Sequence, residues 1–505
     1  MKIVAGFDAG THGVRCLLVD FDGKVIAEDR ENYPCYYPNP GWVEQEPEDW
    51  WNALKNALKK ALNKAKLDGR EISAISIAHQ RCTIVPVNEN GKPLMRAILW
   101  NDRRCVEQVN WAIKEIGENK IYNRTGYPPA TAWSAYKAMW VRDNNPEIYK
   151  KAYKWLLTHD YLVYKLTGEM KTSSSSATMT GILDIAKLTE WARDVIDALG
   201  LEAETWPEIY EPGEILGQVS KSAAEELGIP EGIPVAAGSG DQPSGALGCA
   251  VVREDTMSVN LGTSVVIETV LTSLKLDQKR RYFLEYNPAG LYAPESTIMG
   301  GTRTIDWYIE NFFEKKEGVF EILENAVKKI PPGNLGLTII PYWSSALVPY
   351  WDPGARGVIY GFGFTHGKYH LYRAILEGIA FEVRKLIEFI KEATGNEYNR
   401  IVLHGGGSSS QVWCQIFADI LNKPVSTLMN KEATAFGAAI IALKAAGAYK
   451  TVREAAEAAV KVKKTYEPIP ENVKLYEDLY SIYKHFYDKI KDDVSRVSKI
   501  TGYYP

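Results

Sequence analysis

A chain of 505 residues is too long to close around one core and predicts two large domains. With 46 % hydrophobic and 24 % charged residues and a formal net charge of −4, the composition gives no reason to expect nucleic acid or an anionic membrane surface as partner. No apolar run approaches the roughly 20 residues that a membrane span needs. The six cysteines, Cys16, Cys35, Cys82, Cys105, Cys249 and Cys414, form no C-x-x-C pair. Their scatter argues against a zinc site or a disulfide framework and for a reducing, cytoplasmic setting. The first predicted strand starts directly behind Met1-Lys2, which leaves no room for a leader peptide.

In chain order, the stretch from Met1 to Val19 reads strand, then Asp8-Ala-Gly-Thr-His-Gly-Val-Arg15, then strand again. The loop offers backbone N–H groups, hydroxyl and imidazole side chains and one arginine, a set that suits phosphate oxygens. Asp8 stands at the strand end, where a carboxylate can hold magnesium, mostly through water. The turn Asp20-Phe-Asp-Gly23 closes a hairpin, and Pro47-Glu-Asp-Trp-Trp51 opens an amphipathic helix through Lys66. Ile72 to Ile77 is a buried strand that runs into Ala78-His-Gln-Arg-Cys-Thr83, and Pro93 to Trp100 runs into Asn101-Asp-Arg-Arg104. Polar groups at two strand ends beside Trp100 fit a small polyhydroxy ligand; a surface salt-bridge cluster is the alternative. Ala132 to Asn144 and His159 to Gly168 read as helices, the second ending at a glycine cap.

At mid-chain stands Gly238-Ser-Gly-Asp241-Gln-Pro-Ser-Gly245-Ala-Leu-Gly248, between two apolar strand-like runs. Four glycines around one carboxylate suit close approach to a ligand, and an ordinary glycine-rich turn is the alternative. The second half repeats the pattern. Asn260-Leu-Gly-Thr-Ser264 sits between strands, and Leu403-His-Gly-Gly-Gly-Ser-Ser-Ser410 joins a strand to the helix Gln411 to Leu421. Leu475, Leu479, Ile482 and Phe486 recur at helical spacing near the C-terminus and predict a packing face.

These landmarks, taken together and in order, resemble the FGGY family of carbohydrate kinases. The resemblance rests on Asp8 to Arg15, Gly41-Trp-Val-Glu44 with Trp50, Leu99-Trp-Asn-Asp-Arg-Arg104, Lys137 with Trp140, and Gly240-Asp-Gln242. In the second half it rests on Leu261-Gly-Thr263, Pro349 to Gly357, His370 to Gly378, Gly405 to Gly407 and Glu432 to Gly437. It implies an α/β, duplicated actin-like fold of the acetate and sugar kinase type, with two domains around a cleft. The expected division is a sugar-binding domain 1–245 and a nucleotide-binding domain 246–505. It further implies transfer of the γ-phosphoryl group of ATP, with Mg2+, to a hydroxyl of a small sugar or polyol. In that reading Asp241 is the catalytic base, and Arg81, Trp100, Asp102, Trp133, Asp241 and Gln242 hold the acceptor. Asp8 places the metal. Thr11, His12 and Arg15 approach the transferring phosphate, Gly262 and Thr263 hold the β/γ end of ATP, Gly301 lines the nucleotide pocket, and Gly406 and Ser410 lie along the adenosine. A homodimer is the assembly considered.

The acceptor departs from the family's glycerol pattern. Where glycerol kinases carry a glutamate and a tyrosine, this chain has Cys82 and Ala132, which forfeits hydrogen bonds to a triol at roughly 1 kcal/mol or more each. Xylulokinases carry Met-His where this chain has Arg81-Cys82. A pentulose or a polyol of four to six carbons is therefore expected, with glycerol second. A silent sugar sensor and a filament-forming ATPase share the fold; the retained Asp8, Arg15 and Asp241 speak against the first, and the sugar-side cluster around Arg81 and Trp100 against the second.

Overall fold

The computed structural model describes residues 2–502; the Met1 start of the first predicted strand and the Pro505 end of the second expected domain lie outside the described residues. Apolar alternation drives the first three strands, β1 (Ile3–Gly10), β2 (Gly13–Asp20) and β3 (Val25–Asn32), into an antiparallel meander. Its second turn is the predicted Asp20–Gly23 hairpin: Gly23 takes φ 81°, and Asp20 Oδ1 accepts the N–H groups of Asp22 and Lys24. Helix α1 (Pro47–Ala65) then crosses back, burying Trp50, Trp51, Leu54, Leu58 and Leu62, and delivers β4 (Ile72–His79) parallel to β1.

The predicted run from Pro93 to Trp100 is mostly irregular, with only Ala97 and Ile98 paired as a strand. Helices α2 (Ser134–Asn144) and α3 (Thr158–Thr167) follow where expected. Two more strands, β5 (Ile215–Gln218) and β6 (Pro234–Gly240), complete a six-stranded sheet in the order β5-β6-β4-β1-β2-β3. Its central strands β1 and β4 are almost wholly buried because helices cover both faces.

Helix α4 (Asp241–Gly248) leads out of β6 into a second, seven-stranded sheet. Its strands are β7 (Thr256–Leu261), β8 (Val265–Thr269), β9 (Phe283–Asn287), β10 (Leu291–Ile298), β11 (Arg400–His404), β12 (Val425–Leu428) and β13 (Val462–Tyr466), ordered β9-β10-β8-β7-β11-β12-β13. The run β3-β2-β1-β4-β6 of the first sheet and β10-β8-β7-β11-β12 of the second share one pattern: two antiparallel pairings followed by two parallel ones. The chain is a duplicated α/β protein.

The second half also supplies helices α5 (Lys368–Thr394), α6 (Gln411–Leu421), α7 (Ala433–Ala445) and α8 (Pro470–Thr501). Helix α7 is apolar on all sides and buried from Ala435 to Leu443, wedged between α4 and the first sheet. The approach is close enough to require glycine. A Cβ on Gly437 would stand 1.9 Å from the Ser244 carbonyl oxygen, and one on Gly6 of β1 would stand 2.4 Å from the Ala439 nitrogen. Among the described residues no helix is long and apolar enough to cross a membrane.

The C-terminal helix corrects the predicted packing face. Of the four expected residues Leu479 and Phe486 pack at the edge of the core, but Leu475 and Ile482 are 41 % and 58 % exposed, and Tyr476, Tyr480, Tyr483 and Tyr487 form the buried stripe. The reason is polar. Helix α5 presents Glu377, Glu382 and Glu388, and the hydroxyls of Tyr476, Tyr483 and Tyr480 donate to them at 2.7, 2.8 and 2.8 Å. Only an aromatic with a donor at its tip covers the apolar surface and satisfies those carboxylates together. Tyr483→Phe leaves a Glu382 oxygen without its donor and should cost about 1–3 kcal/mol, read as a lowered denaturation midpoint. Ile482→Ala, on the exposed side, should stay within about 0.5 kcal/mol of wild type.

Candidate active site

Register places the first half of the site. In β1 and β4, Asp8 pairs with Ala78 and Ala9 with His79, while Gly240 of β6 pairs with His79 from the other side. Three parallel strands thus end level, and Asp8, Gln80-Arg81 and Asp241 leave them side by side. The backbone turns sharply after Arg81, because Cys82 adopts φ 62°, an uncommon conformation outside glycine. Two donors from α2 hold it there: Ser134 Oγ and Lys137 Nζ bond the Cys82 carbonyl at 3.1 and 3.0 Å, and Lys137 also bonds the Ala132 carbonyl. Lys137 is a buried lysine solvated by carbonyls, and burial lowers its pKa.

The turn aims Arg81 into a set of acids. Its Nε lies 2.9 Å from Asp241 Oδ1. Its two terminal nitrogens fork onto Glu295 at 2.7 and 3.1 Å, and Nη1 also reaches Glu285. Glu285 is braced by the Thr178 hydroxyl at 2.6 Å. A fourth acid, Glu268, is buried beside them with neither carboxylate oxygen hydrogen-bonded. The three glutamates belong to β8, β9 and β10 of the second half. Glu268 faces Glu295 in register, and Glu285 stands two residues from Phe283, the other partner of Glu295, so all three share one face. Burial raises the pKa of each, that of Glu295 to about 7 despite the neighbouring guanidinium. The sequence reading missed these residues. Their one visible sign was a charge inside otherwise apolar strands, Val-Val-Ile-Glu268 and Phe-Leu-Glu285.

Other expected acceptor residues divide. Trp100 is partly exposed and ties to the first loop through Nε1 and Thr11 Oγ1 at 3.1 Å. Gln242 accepts from Asn260 Nδ2 at 3.0 Å, a bond between the α4 N-terminus and the end of β7. Asp102 is corrected: it is fully buried and each of its oxygens already accepts two N–H groups, from Arg104 and Val43. It fixes Arg104 between the Trp42 and Trp140 rings instead of facing a ligand. Trp133 is corrected as well, since it lies beneath the surface against Tyr127 and Phe283 and gives its N–H to the Pro128 carbonyl.

The other half of the site gathers the turns. Asn260 pairs with His404, so the Gly262-Thr263 and Gly405-Gly406 loops emerge together. Gly301 closes against the first of them, its N–H on the Thr263 carbonyl at 3.0 Å. Gly406 faces open space. Ser410 is corrected: its hydroxyl caps α6 by accepting from Trp413 N and donates to Glu324 at 2.6 Å. Near the first loop, His12 is exposed, and Arg15 pairs with Glu432 at 3.1 Å. Asp8 Oδ1 is shut from solvent with no hydrogen-bond partner, and burial, then the Asp241 charge, push its carboxyl up to about 7. A depression around Arg124, Asp184, Trp191 and Trp206 lies elsewhere on the surface, and Arg124 is paired there with both Asp184 and Asp194.

The chain matches the models of the FGGY family of carbohydrate kinases, the N-terminal domain over residues 3–248 and the C-terminal domain over 257–446. It is 33 % identical over 505 residues to a xylulose kinase of Staphylococcus epidermidis, covering 99 % of each chain. It is 32 % identical to a glycerol kinase of Thermococcus gammatolerans, covering 92 % of this chain and 94 % of that one. Among solved structures, a gluconate kinase from Lactobacillus acidophilus superimposes with a TM-score of 0.89 at 25 % identity, over 97 % of this chain and 98 % of that one. With both domain models matched across the two sheets and relatives aligned end to end, the chain belongs to the FGGY family of carbohydrate kinases and is an ATP-dependent phosphotransferase acting on a sugar or polyol hydroxyl.

Proposed function

We propose that the acceptor is a pentulose, xylulose or a close relative, with a polyol of four to six carbons next and glycerol as the second reading. The end-to-end likeness to a xylulose kinase supports the first, and the glycerol kinase relative supports the second. Cys82 turns its thiol into the apolar core and Ala132 has no polar side chain, so neither supplies the contact a short triol needs to fill the site.

The observation that carries the reading is Asp241. It is the first residue of α4, where the helix dipole favours a carboxylate, and it stands beside the ends of β1 and β4. Its Oδ1 accepts from Gln242 N and lies 2.9 Å from Arg81 Nε as an ion pair, while no hydrogen bond occupies Oδ2 among the described residues. That oxygen is placed to take the proton of the attacking hydroxyl as the γ-phosphoryl group moves. The glycine loops at 262–263, 301 and 405–406 offer backbone N–H groups to the nucleotide, Thr11, His12 and Arg15 flank the transferring phosphate, and Trp100 covers the apolar side of the sugar.

Asp8 would fit a magnesium ion, since it offers a desolvated carboxylate oxygen with no hydrogen-bond partner, close to Asp241. When bound, the ion neutralises charge on the phosphate oxygens.

Two outcomes are expected. Asp241→Asn should keep sugar and ATP affinity within a few-fold while kcat falls roughly 10²–10⁴-fold in a coupled ADP-release assay over ketoses and polyols; near-wild-type turnover overturns the assignment. The second concerns Asp8. The unfolded chain ionises this carboxyl at the ordinary value near 4, whereas the folded chain keeps its proton up to about 7. Stability is therefore present at low pH and lost as pH rises through that window. In a metal-free buffer, the melting temperature of Asp8→Asn should gain on wild type between pH 5 and pH 8, and magnesium should narrow the gap. Parallel melting curves would contradict it.

A further inference from the structure

An arginine in a sugar site is ordinarily a receptor for carboxylate. Its planar fork matches two oxygens, which would make a sugar acid a favoured guest. Arg81 is not available in that way. Glu295 already takes the terminal fork in bidentate geometry, Glu285 takes a second N–H of Nη1, and Asp241 stands 2.9 Å from Nε as an ion pair. Of the five donors, three are hydrogen-bonded to glutamates, and the Nε side faces the Asp241 carboxylate as an ion pair. Three carboxylates share this one cation, and Glu268 adds a fourth acid behind them with no hydrogen bond of its own. One cation faces more acids than it balances, and the cluster is buried, where Coulomb terms are less screened than in water and a further carboxylate is unwelcome. The partial positive end of α4 is worth only about half a charge against it. A hydroxyl meets such a wall as a donor; a second carboxylate meets it as a like charge.

We propose that Glu285 and Glu295 are specificity-determining residues of the acceptor pocket: by occupying the anion-binding face of Arg81 they restrict the enzyme to neutral polyhydroxy acceptors and turn away aldonates of the same carbon number. This rests on the carbohydrate kinase reading and narrows it. The two glutamates come from the second domain, so discrimination at the sugar end is made by the half of the molecule that carries the nucleotide loops.

The test pairs each neutral acceptor with its acid: xylulose with xylonate, glucitol with gluconate, glycerol with glycerate. Wild-type kcat/KM, from ADP release, should favour the best neutral acceptor over its aldonate by at least 100-fold, and the aldonate should not inhibit at 100 times the neutral KM. Glu285→Gln with Glu295→Gln loosens the fork and removes two acids, so the neutral-to-aldonate ratio should fall at least tenfold, whatever happens to the absolute rate. An aldonate turned over as well as its neutral partner, inhibition of the wild type by the aldonate, or an unchanged ratio in the folded double variant overturns the proposal. If the double variant does not fold, the wild-type inhibition measurement decides alone. If no acceptor of either kind stimulates ADP release, the kinase reading fails, and calorimetric binding of gluconate against glucitol still decides this one.

Discussion

One guanidinium joins the two sheets. Arg81 leaves the first sheet and ends among Asp241, Glu285 and Glu295, the last two on the second sheet. Ion pairs of this kind are weak contributors to net stability, since desolvation of each charge offsets most of the attraction. Their cost is visible here. Glu285, Glu295 and Glu268 all have raised pKa values, with burial as the largest cause, because one arginine does not compensate for so many acids. What the cluster supplies is position. A guanidinium forked onto one carboxylate and touching two more has little freedom to rotate, and Asp241 is fixed by the same contact.

The supports behind the site follow the same logic of burying polar groups only where each is matched. Lys137 is sequestered under the Cys82 turn and holds its carbonyl. On the other strand, His159 Nε2 accepts the Gly238 N–H at 3.0 Å while its Nδ1 faces Asp160 at 2.9 Å. A ring nitrogen that accepts carries no proton, so the proton sits on Nδ1 and is donated to Asp160. Gly238 lies in β6 three residues before Asp241, and this bond fixes the strand from which Asp241 emerges. Asp102 and Ser410 belong to the same class of residue. Both look ligand-directed in sequence, and both are used up in holding neighbours, Arg104 in one case and the start of α6 in the other.

Much of the molecule was legible in the chain. Periodicity placed α1, α2, α3, β4, β11 and α6 within a few residues, because each is an apolar stripe or run bounded by glycine, proline or a capping residue. The glycine-rich turns and the acids at strand ends could be found for a similar reason: close approach and catalysis demand particular residue types locally. The C-terminal helix shows the limit. Its existence followed from spacing, but the choice between the Leu475/Ile482 face and the tyrosine face did not, since hydrophobicity alone favours the former.

What the sequence by itself determined was the family, and with it the class of chemistry, through motifs that recur in order along the chain, and the doubling of the α/β unit. Tertiary structure alone decided which charges meet. Glu268, Glu285 and Glu295 lie nearly 200 residues or more from Arg81 in the chain, on strands whose pairing sets them on one face. No local pattern encodes that encounter. It depends on the register of three strands and on the seating of α7 between the domains, and both are properties of packing over the whole chain.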